Sequence, residues 1–300
     1  MNTLRQPILV FVLILISTFI SAQEIVTDLN YFPKLEFNDK VVEINTSETG
    51  ATVQKIVIDG FDSKIPFYVI KPRNSESDKY VLLLHGITWS KDNWINPTTS
   101  ISEKCVKLKD SLLTLGYSVI IPDAKYHGER SYQGNFASPL TFFSSQDVQK
   151  IYNLYTSSVK DFRIIMDYIE IKSTSKTQIF DVIGYSMGGQ MAILLNSVDD
   201  RLNRVVACVP PLDLKTGVRF GMSEENTKNV DFLSPKNCAP MQKAPVSLLM
   251  GTEDIWYTQK EVQDFFDKIT IKGKSLKFYK SGHYLPDDFI FDAIASLSMK

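Results

Sequence analysis

The stretch that decides the fold is Q-I-F-D-V-I-G-Y-S-M-G-G, residues 178–189. It begins as a strand-like run, and the apolar spacing of residues 190–196 behind it is that of a helix. A serine between glycines at such a junction is typical of a nucleophile elbow, a strained turn that lifts the hydroxyl clear of the sheet. The pattern therefore predicts Ser186 as a nucleophile. The alternative is a serine that caps an ordinary strand–helix loop.

Apolar runs of strand length alternate with helical patterns on both sides of this stretch. The runs at 80–84 and 117–122 suit buried strands, and amphipathic spacing predicts helices at 101–115 and 147–171. This alternation predicts an α/β fold whose central sheet is mostly parallel, with helices on both faces. The same reasoning predicts strands at 51–59, 65–71, 178–183, 204–209, 245–250 and 275–280, and helices at 187–197, 257–269 and 287–298.

The first residues have the three-part layout of a secretory signal. Arg5 precedes an unbroken apolar run, residues 8–16, and the small pair Ser21 and Ala22 ends the segment. The run is shorter than the ~18–20 apolar residues of a membrane-spanning helix. We therefore expect residues 1–22 to be cleaved as a signal peptide, leaving a secreted or periplasmic protein without a stable membrane span. An uncleaved anchor is the alternative.

The rest of the chain has the length of one large α/β domain, which we predict over residues 51–300. Residues 23–50 are predicted to be a loop-rich N-terminal extension. Residues 210–240 interrupt the strand–helix rhythm and are predicted to be a small cap or lid inserted over the carboxyl edge of the sheet.

Composition excludes several classes of partner. The formal net charge of −1 argues against nucleic acid or an anionic membrane surface as the main partner. Three cysteines and three histidines show no metal-ligand spacing, so no metal site is predicted. Cys208 lies in an apolar run and is predicted to be buried, whereas spacing leaves a bridge between Cys105 and Cys238 open. The sequence predicts no oligomeric state.

A serine hydroxyl needs a base within hydrogen-bond reach, and that base needs a carboxylate to orient it. His283 follows the last predicted strand, so its loop lies at the same sheet edge as the elbow. We therefore predict His283 as the base. His85 and His127 also follow strands, and for both the alternative is a structural role in bonding loop backbone.

The orienting carboxylate should come from a loop after another strand. Asp254 follows the predicted strand at 245–250, and Glu253 lies beside it. Asp213 is the second candidate and Asp231 the third. A turn or a helix cap is the ordinary role of a single loop aspartate. Asp254 is favoured because it lies in the loop after a predicted strand and comes between Ser186 and His283 in the chain.

Attack on a carbonyl develops negative charge on its oxygen, which requires two preorganised donors. The elbow predicts the backbone N–H of Met187 as one donor. The loop after the strand at 80–84 predicts the N–H of Ile87 as the other, with Thr88 next. Aromatic side chains on the same rim are candidates for substrate binding, with ordinary loop packing as the alternative: Trp89, Tyr126, Tyr185 and Trp256.

The chain resembles the α/β-hydrolase superfamily from about residue 51 to its end. The resemblance is carried by H-G at 85–86, G-Y-S-M-G-G at 184–189, and the chain order of Ser186, Asp254 and His283. The segment D-A-K-Y-H-G-E-R, residues 123–130, is similar to a loop of dienelactone-hydrolase-like and prolyl-oligopeptidase-like serine esterases.

This resemblance implies a serine hydrolase that cleaves small-molecule carboxylic esters through an acyl-enzyme, without a cofactor. The H-G-I-T loop departs from the H-G-G-G of hormone-sensitive-lipase-type enzymes, which disfavours that branch. Two alternatives stay open: a small serine aminopeptidase or amidase, and a hydrolase-fold binding protein that has no catalytic activity.

Overall fold

A computed structural model describes residues 25–46, 50–73, 78–173, 175 and 177–298. Within those residues nine strands form one sheet, in the order β1-β2-β3-β5-β4-β6-β7-β8-β9. Numbered along the chain, they are β1 (Lys40–Thr46), β2 (Thr52–Asp59), β3 (Lys64–Lys71), β4 (Lys79–Leu84), β5 (Ser118–Pro122), β6 (Ile179–Tyr185), β7 (Leu202–Cys208), β8 (Val246–Gly251) and β9 (Ser275–Tyr279). The predicted signal segment lies outside the described residues.

Helices connect and cover the strands. The α-helices are α1 (Ser100–Thr114), α2 (Leu140–Ser144), α3 (Val148–Lys172), α4 (Met187–Val198), α5 (Glu224–Val230), α6 (Gln259–Lys268) and α7 (Phe289–Ser298). Short 3-10 helices lie at Lys91–Trp94, Gly128–Gly134, Leu214–Phe220, Asp231–Leu233, Pro235–Asn237 and Ala239–Met241. The helices begin where the sequence offers caps. Thr99 and Thr258, for example, each accept a hydrogen bond from the third residue of the helix they precede.

The sheet combines an antiparallel edge with a parallel centre. β1, β2 and β3 form an antiparallel meander, and β3 pairs antiparallel with β5. From β5 to β9 every neighbouring pair is parallel. The mostly parallel sheet with helices, and with it the α/β-hydrolase fold, is confirmed. β4 lies between β5 and β6, where the connections diverge to opposite sides, and ligand sites of parallel sheets form outside the carboxyl ends at such a point.

The predicted loop-rich extension is wrong at residues 40–46, which form β1. This strand lies at the sheet edge, and its apolar side chains Val41, Val42 and Ile44 are exposed. It therefore lacks the buried alternation that identifies a strand from sequence. Earlier still, Ile25 and Leu29 are fully buried in the core. The packed part of the chain therefore begins well before residue 51.

The segment between β7 and β8 folds as short helices over the carboxyl ends of the strands. Phe220 packs against Phe143 of α2 with 5.6 Å between ring centroids, and Gln146 donates a hydrogen bond to the carbonyl of Gly221. Lys236 bridges two carboxylates of the same segment, at 2.6 Å from Asp213 and 2.8 Å from Asp231. Leu214 and Phe220 of this segment line one wall of the site described next.

Three further features concern the described part of the chain as a whole. Cys105, Cys208 and Cys238 are free thiols, and all three are buried, as predicted for Cys208. Across the described residues, no helix has the length and apolar character needed to cross a membrane. Nor do the described His, Cys, Asp and Glu side chains form a group of three or more that could hold a metal ion.

Candidate active site

Ser186 occupies a strained turn between β6 and α4. Its φ is 53° and its ψ is −117°, in a region that side-chain-bearing residues rarely adopt. The turn is closed by a 2.8 Å hydrogen bond from the Ser186 N–H to the carbonyl of Cys208. A Cβ at Gly184 would overlap the backbone of Gly188, and one at Gly188 would overlap the carbonyl of Leu84. The geometry is therefore that of a nucleophile elbow, and it requires glycine on both sides of the serine.

A continuous chain of hydrogen bonds leads away from the serine hydroxyl. His283 Nε2 lies 2.8 Å from Ser186 Oγ, and His283 Nδ1 lies 2.7 Å from Asp254 Oδ2. An ionised carboxylate accepts only, so Nδ1 carries the proton and Nε2 is free to accept from the serine hydroxyl. The Asp254 side chain is fully buried, and its other oxygen accepts the Trp256 N–H at 3.0 Å. The ring is thus held in the tautomer that a base needs.

The structure separates Asp254 from its competitors. Asp213 and Asp231 both bind Lys236 in the segment between β7 and β8, and neither contacts the imidazole of His283. Asp213 also caps the 3-10 helix that follows it, by accepting from the N–H of Lys215. These two carboxylates therefore have the structural role that is usual for loop aspartates.

The two other histidines are buried and bond loop backbone. His85 is 2% exposed, with Nδ1 at 2.9 Å from the carbonyl of Gly86 and Nε2 accepting the N–H of Ala124 at 3.1 Å. His127 is 3% exposed, and its ring nitrogens lie 2.7 Å from the Ile87 carbonyl and 2.8 Å from the Lys125 carbonyl. Burial lowers the pKa of His127 to about 4 and the pKa of His85 well below its ordinary value. Both rings are therefore neutral at neutral pH.

The predicted oxyanion donors flank the serine. Met187 is the first residue of α4, and Ile87 lies in the loop after β4. That loop lies beside the elbow, since a Cβ on Gly86 would be in ordinary contact with Ser186 Cβ, at 3.8 Å. No acceptor in the described part of the chain takes the N–H of Ile87 or of Met187. Both amides are therefore available to a ligand beside the Ser186 hydroxyl.

A cavity of about 330 Å³ opens above Ser186 and His283. Of the aromatic residues predicted to shape it, Trp89, Tyr185 and Trp256 line its wall. Tyr185 also donates its hydroxyl proton to the carbonyl of His283 at 2.8 Å, which links the elbow to the loop of the base. Tyr126 does not line the cavity. Its φ is 66°, and its ring packs edge-on against Phe142 at 5.1 Å, so this prediction is wrong.

Sequence reasoning missed most of the apolar wall. The missed side chains come from α2, α3, α4 and the segment between β7 and β8. They are Leu140, Phe143, Tyr155, Gln190, Leu214 and Phe220. Apart from the polar Gln190, these side chains offer only their apolar or aromatic character as a signal, and the segments that carry α2 and Phe220 show no periodicity from which a common wall could be inferred.

A second, larger cavity of about 610 Å³ adjoins the first, but neither Ser186 nor His283 lines it. The two share Trp256 and Thr216 as a common wall. Trp256 stacks on Phe220 at 4.8 Å, and the guanidinium of Arg219 lies 5.9 Å from the indole ring. The chemistry therefore belongs to the smaller, apolar cavity, and the aromatic stack separates it from a charged one.

The D-A-K-Y-H-G-E-R loop packs beneath the loop of Ile87. Asp123 is fully buried and accepts hydrogen bonds from the Lys91 N–H and ammonium, each at 2.9 Å, and from the Glu129 N–H at 3.0 Å. Gly128 has a φ of 51°, and a Cβ there would overlap the Asp123 carboxylate. The motif therefore needs its aspartate and glycine together, and it places His127 against the carbonyl of Ile87.

Comparison with known proteins identifies the family of the chain. The family model described as "Dienelactone hydrolase family" matches residues 95–283. Among curated proteins, none matches the sequence.

Several solved structures share the fold. A cold-adapted esterase from an Arctic intertidal metagenomic library aligns with a TM-score of 0.66 at 18% identity, over 89% of this chain and 100% of that one. An acetyl xylan esterase from Paenibacillus sp. R4 aligns with a TM-score of 0.68 at 15% identity, over 92% of each chain. An esterase from Pyrococcus furiosus aligns with a TM-score of 0.55 at 23% identity, over 90% of this chain and 96% of that one. At these identities the likeness is one of fold.

Proposed function

The chain belongs to the dienelactone hydrolase family, and we propose that it is a serine hydrolase that cleaves carboxylic esters through an acyl-enzyme. The observation that carries the proposal is the unbroken hydrogen-bond chain from Ser186 through His283 to Asp254, at 2.8 and 2.7 Å. A serine at a strained elbow, beside two amides that have no acceptor among the residues the structure describes, supports the same chemistry.

The reaction begins when Ser186 Oγ attacks the ester carbonyl carbon while His283 Nε2 takes the hydroxyl proton. The carbonyl oxygen becomes an oxyanion, which accepts hydrogen bonds from the N–H groups of Ile87 and Met187. As the carbon–oxygen bond to the alcohol breaks, His283 gives that proton to the departing alkoxide. Water then enters, loses a proton to His283 and attacks the acyl carbon. The bond between that carbon and Ser186 Oγ breaks, His283 returns the proton to Oγ, and the acid leaves. Asp254 stabilises the imidazolium in both halves.

The apolar cavity favours an acyl group of small or medium size. Its volume of about 330 Å³ is at the lower end of ordinary ligand pockets, and Leu140, Phe143 and Leu214 contribute aliphatic and aromatic surface. The structural neighbours include a cold-adapted esterase and an acetyl xylan esterase. A short acyl group in the apolar cavity is consistent with both observations.

The test is turnover of p-nitrophenyl esters, from acetate to octanoate, by the purified protein. Ser186→Ala should lower kcat by about four orders of magnitude or more, because the nucleophile is lost. Ser197→Ala is a matched control on the same helix: its hydroxyl is buried and bonds the Leu194 carbonyl, far from the cavity wall. Undiminished turnover in Ser186→Ala would reject the proposal. Faster cleavage of a p-nitroanilide than of the matching ester would assign the enzyme to amides instead.

We also propose that residues 1–22 direct export, so that the mature enzyme acts outside the cytoplasm. The charged start, the apolar run and the small residues before the expected cut support this proposal. Expression of the full chain in a bacterial host, followed by fractionation and N-terminal sequencing, tests it. An uncut N-terminus in the cytoplasmic fraction would contradict it.

A further inference from the structure

The D-A-K-Y-H-G-E-R loop and the H-G dipeptide carry two buried histidines to which the proposed reaction assigns no role. We propose that His85 and His127 are positioning residues that hold the two peptide groups on either side of Ile87, so that the Ile87 N–H is aimed at the reacting carbonyl oxygen. The inference rests on the proposed function and adds to it the means by which one oxyanion donor is fixed.

The tautomer of His85 follows from its neighbours. The Ala124 N–H can only donate, so His85 Nε2, at 3.1 Å, accepts and carries no proton. A neutral ring then carries its proton on Nδ1, which donates to the Gly86 carbonyl at 2.9 Å. His85 therefore connects the loop of Asp123 to the loop of Ile87 through one defined pair of hydrogen bonds.

The Gly86 carbonyl and the Ile87 N–H belong to the same peptide group. This group is planar and trans, so its C=O and N–H point in opposite directions, and fixing one fixes the other. The Gly86 oxygen accepts from His85 Nδ1 on one side and from the Trp89 N–H, at 3.0 Å, on the other. The Ile87 N–H is consequently turned away from both donors.

His127 holds the following peptide group. Its Nε2 lies 2.7 Å from the Ile87 carbonyl, and its Nδ1 lies 2.8 Å from the Lys125 carbonyl. A neutral ring can donate to only one of these oxygens, and we place the proton on Nε2, which then donates to the nearer carbonyl, that of Ile87. The ring cannot drift, because its loop is anchored by the buried pair of Asp123 and Lys91. Ile87 is thus held on both its amino and its carboxyl side.

Burial makes these contacts hard to replace. The two imidazoles are 2% and 3% exposed, and their centroids lie 4.8 Å apart. If one ring is removed, bulk water has little access to replace its hydrogen bond, and the peptide group it held is free to rotate. An oxyanion donor acts only if it is preorganised, so the loss should appear in the transition state and not in substrate binding.

The experiment uses leucine and amide variants of the full-length protein. His85→Leu and His127→Leu remove the donors, whereas the amide nitrogens of His85→Asn and His127→Gln can reach the same carbonyls. We expect each leucine variant to lower kcat about tenfold to a hundredfold with KM little changed, and each amide variant to recover most of the loss. Tyr126→Phe, a buried change on the same loop that does not touch Ile87, should keep the wild-type kcat.

A second readout separates positioning from general damage. A trifluoromethyl ketone forms a tetrahedral adduct with the serine, and its oxyanion needs the same N–H donors. Its affinity should fall by the same factor as kcat in the leucine variants and be unchanged in Tyr126→Phe. Leucine variants that lose kcat but bind the ketone as tightly as wild type would overturn the inference, as would leucine variants with wild-type kcat.

The wild-type protein supplies a test that does not depend on folding of any variant. Nitrogen-15 NMR of the three imidazoles, assigned in the wild-type protein by through-bond correlation of each ring to its own backbone, should find His85 protonated on Nδ1 and bare on Nε2. A proton on Nε2 of His85 would overturn the inference. Wild-type turnover in Ser186→Ala would overturn the proposed function and this inference with it, whereas a dead Ser186→Ala beside fully active leucine variants would overturn this inference alone.

Discussion

The elbow at the end of β6 and the segment between β7 and β8 meet at one cavity, but different forces build them. At the elbow, backbone approaches backbone so closely that Gly184 and Gly188 have no room for a Cβ. In the other segment, side chains hold short helices together, as where Lys236 bridges Asp213 and Asp231. The backbone therefore positions the nucleophile at the elbow, whereas side chains shape the wall of the cavity, and substitutions in the two regions should affect different measurements.

The largest effect should come from breaking the hydrogen-bond chain that the elbow serves. Asp254→Asn removes the charge that stabilises the imidazolium and permits the wrong His283 tautomer, so kcat/KM for p-nitrophenyl acetate should fall about a thousandfold to ten-thousandfold. Asp231→Asn is the matched control, because Asp231 bonds Lys236 and does not contact the imidazole. Equal losses in the two variants would contradict the assignment of Asp254.

Next in size is the effect of adding one methyl group to the elbow. Gly188→Ala places a Cβ into the Leu84 carbonyl, and since backbone cannot yield as a side chain can, we expect a loss of about 3 kcal/mol or more in the free energy of unfolding. Gly282→Ala is the control, since the nearest atom to its new Cβ is the Glu253 carbonyl oxygen at 3.6 Å. Urea denaturation measures both. Equal stability of the two variants would show that the turn is not as tight as described.

The titration of Asp181, which lies on β6, should make the stability of the protein depend on pH and leave kcat unchanged. Burial raises the pKa of Asp181 to about 6, above its unfolded value of about 3.9. Between these two pH values the folded state therefore binds more protons than the unfolded state. Ionisation of this carboxyl should then lower the free energy of unfolding by about 2 kcal/mol as pH rises from about 4 to 6.

Asp181→Asn removes this dependence and keeps the oxygen that accepts the Asn203 amide hydrogen bond. The variant should be more stable than wild type at pH 7 by about 2 kcal/mol, with the difference vanishing near pH 4, while kcat is unchanged. Urea denaturation at a series of pH values measures the difference. A constant difference across that range would show that Asp181 does not titrate there.

The smallest effect belongs to the side-chain wall. Phe220→Ala removes the ring that stacks on Trp256 and enlarges the apolar cavity, so the ratio of octanoate to acetate kcat/KM should rise about fivefold to tenfold. Phe232→Ala is the control, because Phe232 lies in the same segment and packs on Tyr152 outside the cavity wall. An equal change in kcat/KM for acetate and for octanoate would contradict the assignment of acyl-chain selectivity to Phe220.

This division also explains what the sequence could predict. Strands of the parallel centre are continuous apolar runs, so residues 80–84 and 117–122 were identifiable, and parallel strands bring their following loops to one edge. That rule predicts from the sequence alone that Ser186, Asp254 and His283 lie at one edge of the sheet. The edge strand β1 cannot be identified as a buried apolar run, because its apolar side chains face solvent.

Most of the cavity wall cannot be predicted from the sequence, and the reason differs from that for β1. Trp89 and Trp256 are predicted from their place on the rim loops that follow two strands, and both line the cavity. Tyr126 also follows a strand, but its left-handed backbone turns the ring inward against Phe142. Phe143 and Phe220 meet across segments distant in sequence, and their contact depends on tertiary packing that no local pattern records.

The central claim is that Ser186 becomes acylated during turnover. Protein mixed rapidly with p-nitrophenyl acetate, quenched in acid within the first turnovers, digested and analysed by mass spectrometry tests it most directly. We expect one acetyl group on the peptide that contains Ser186, formed with the burst of p-nitrophenol and absent from Ser186→Ala. Ester turnover with no acetylated peptide, or with the acetyl group on a different side chain, would contradict the claim.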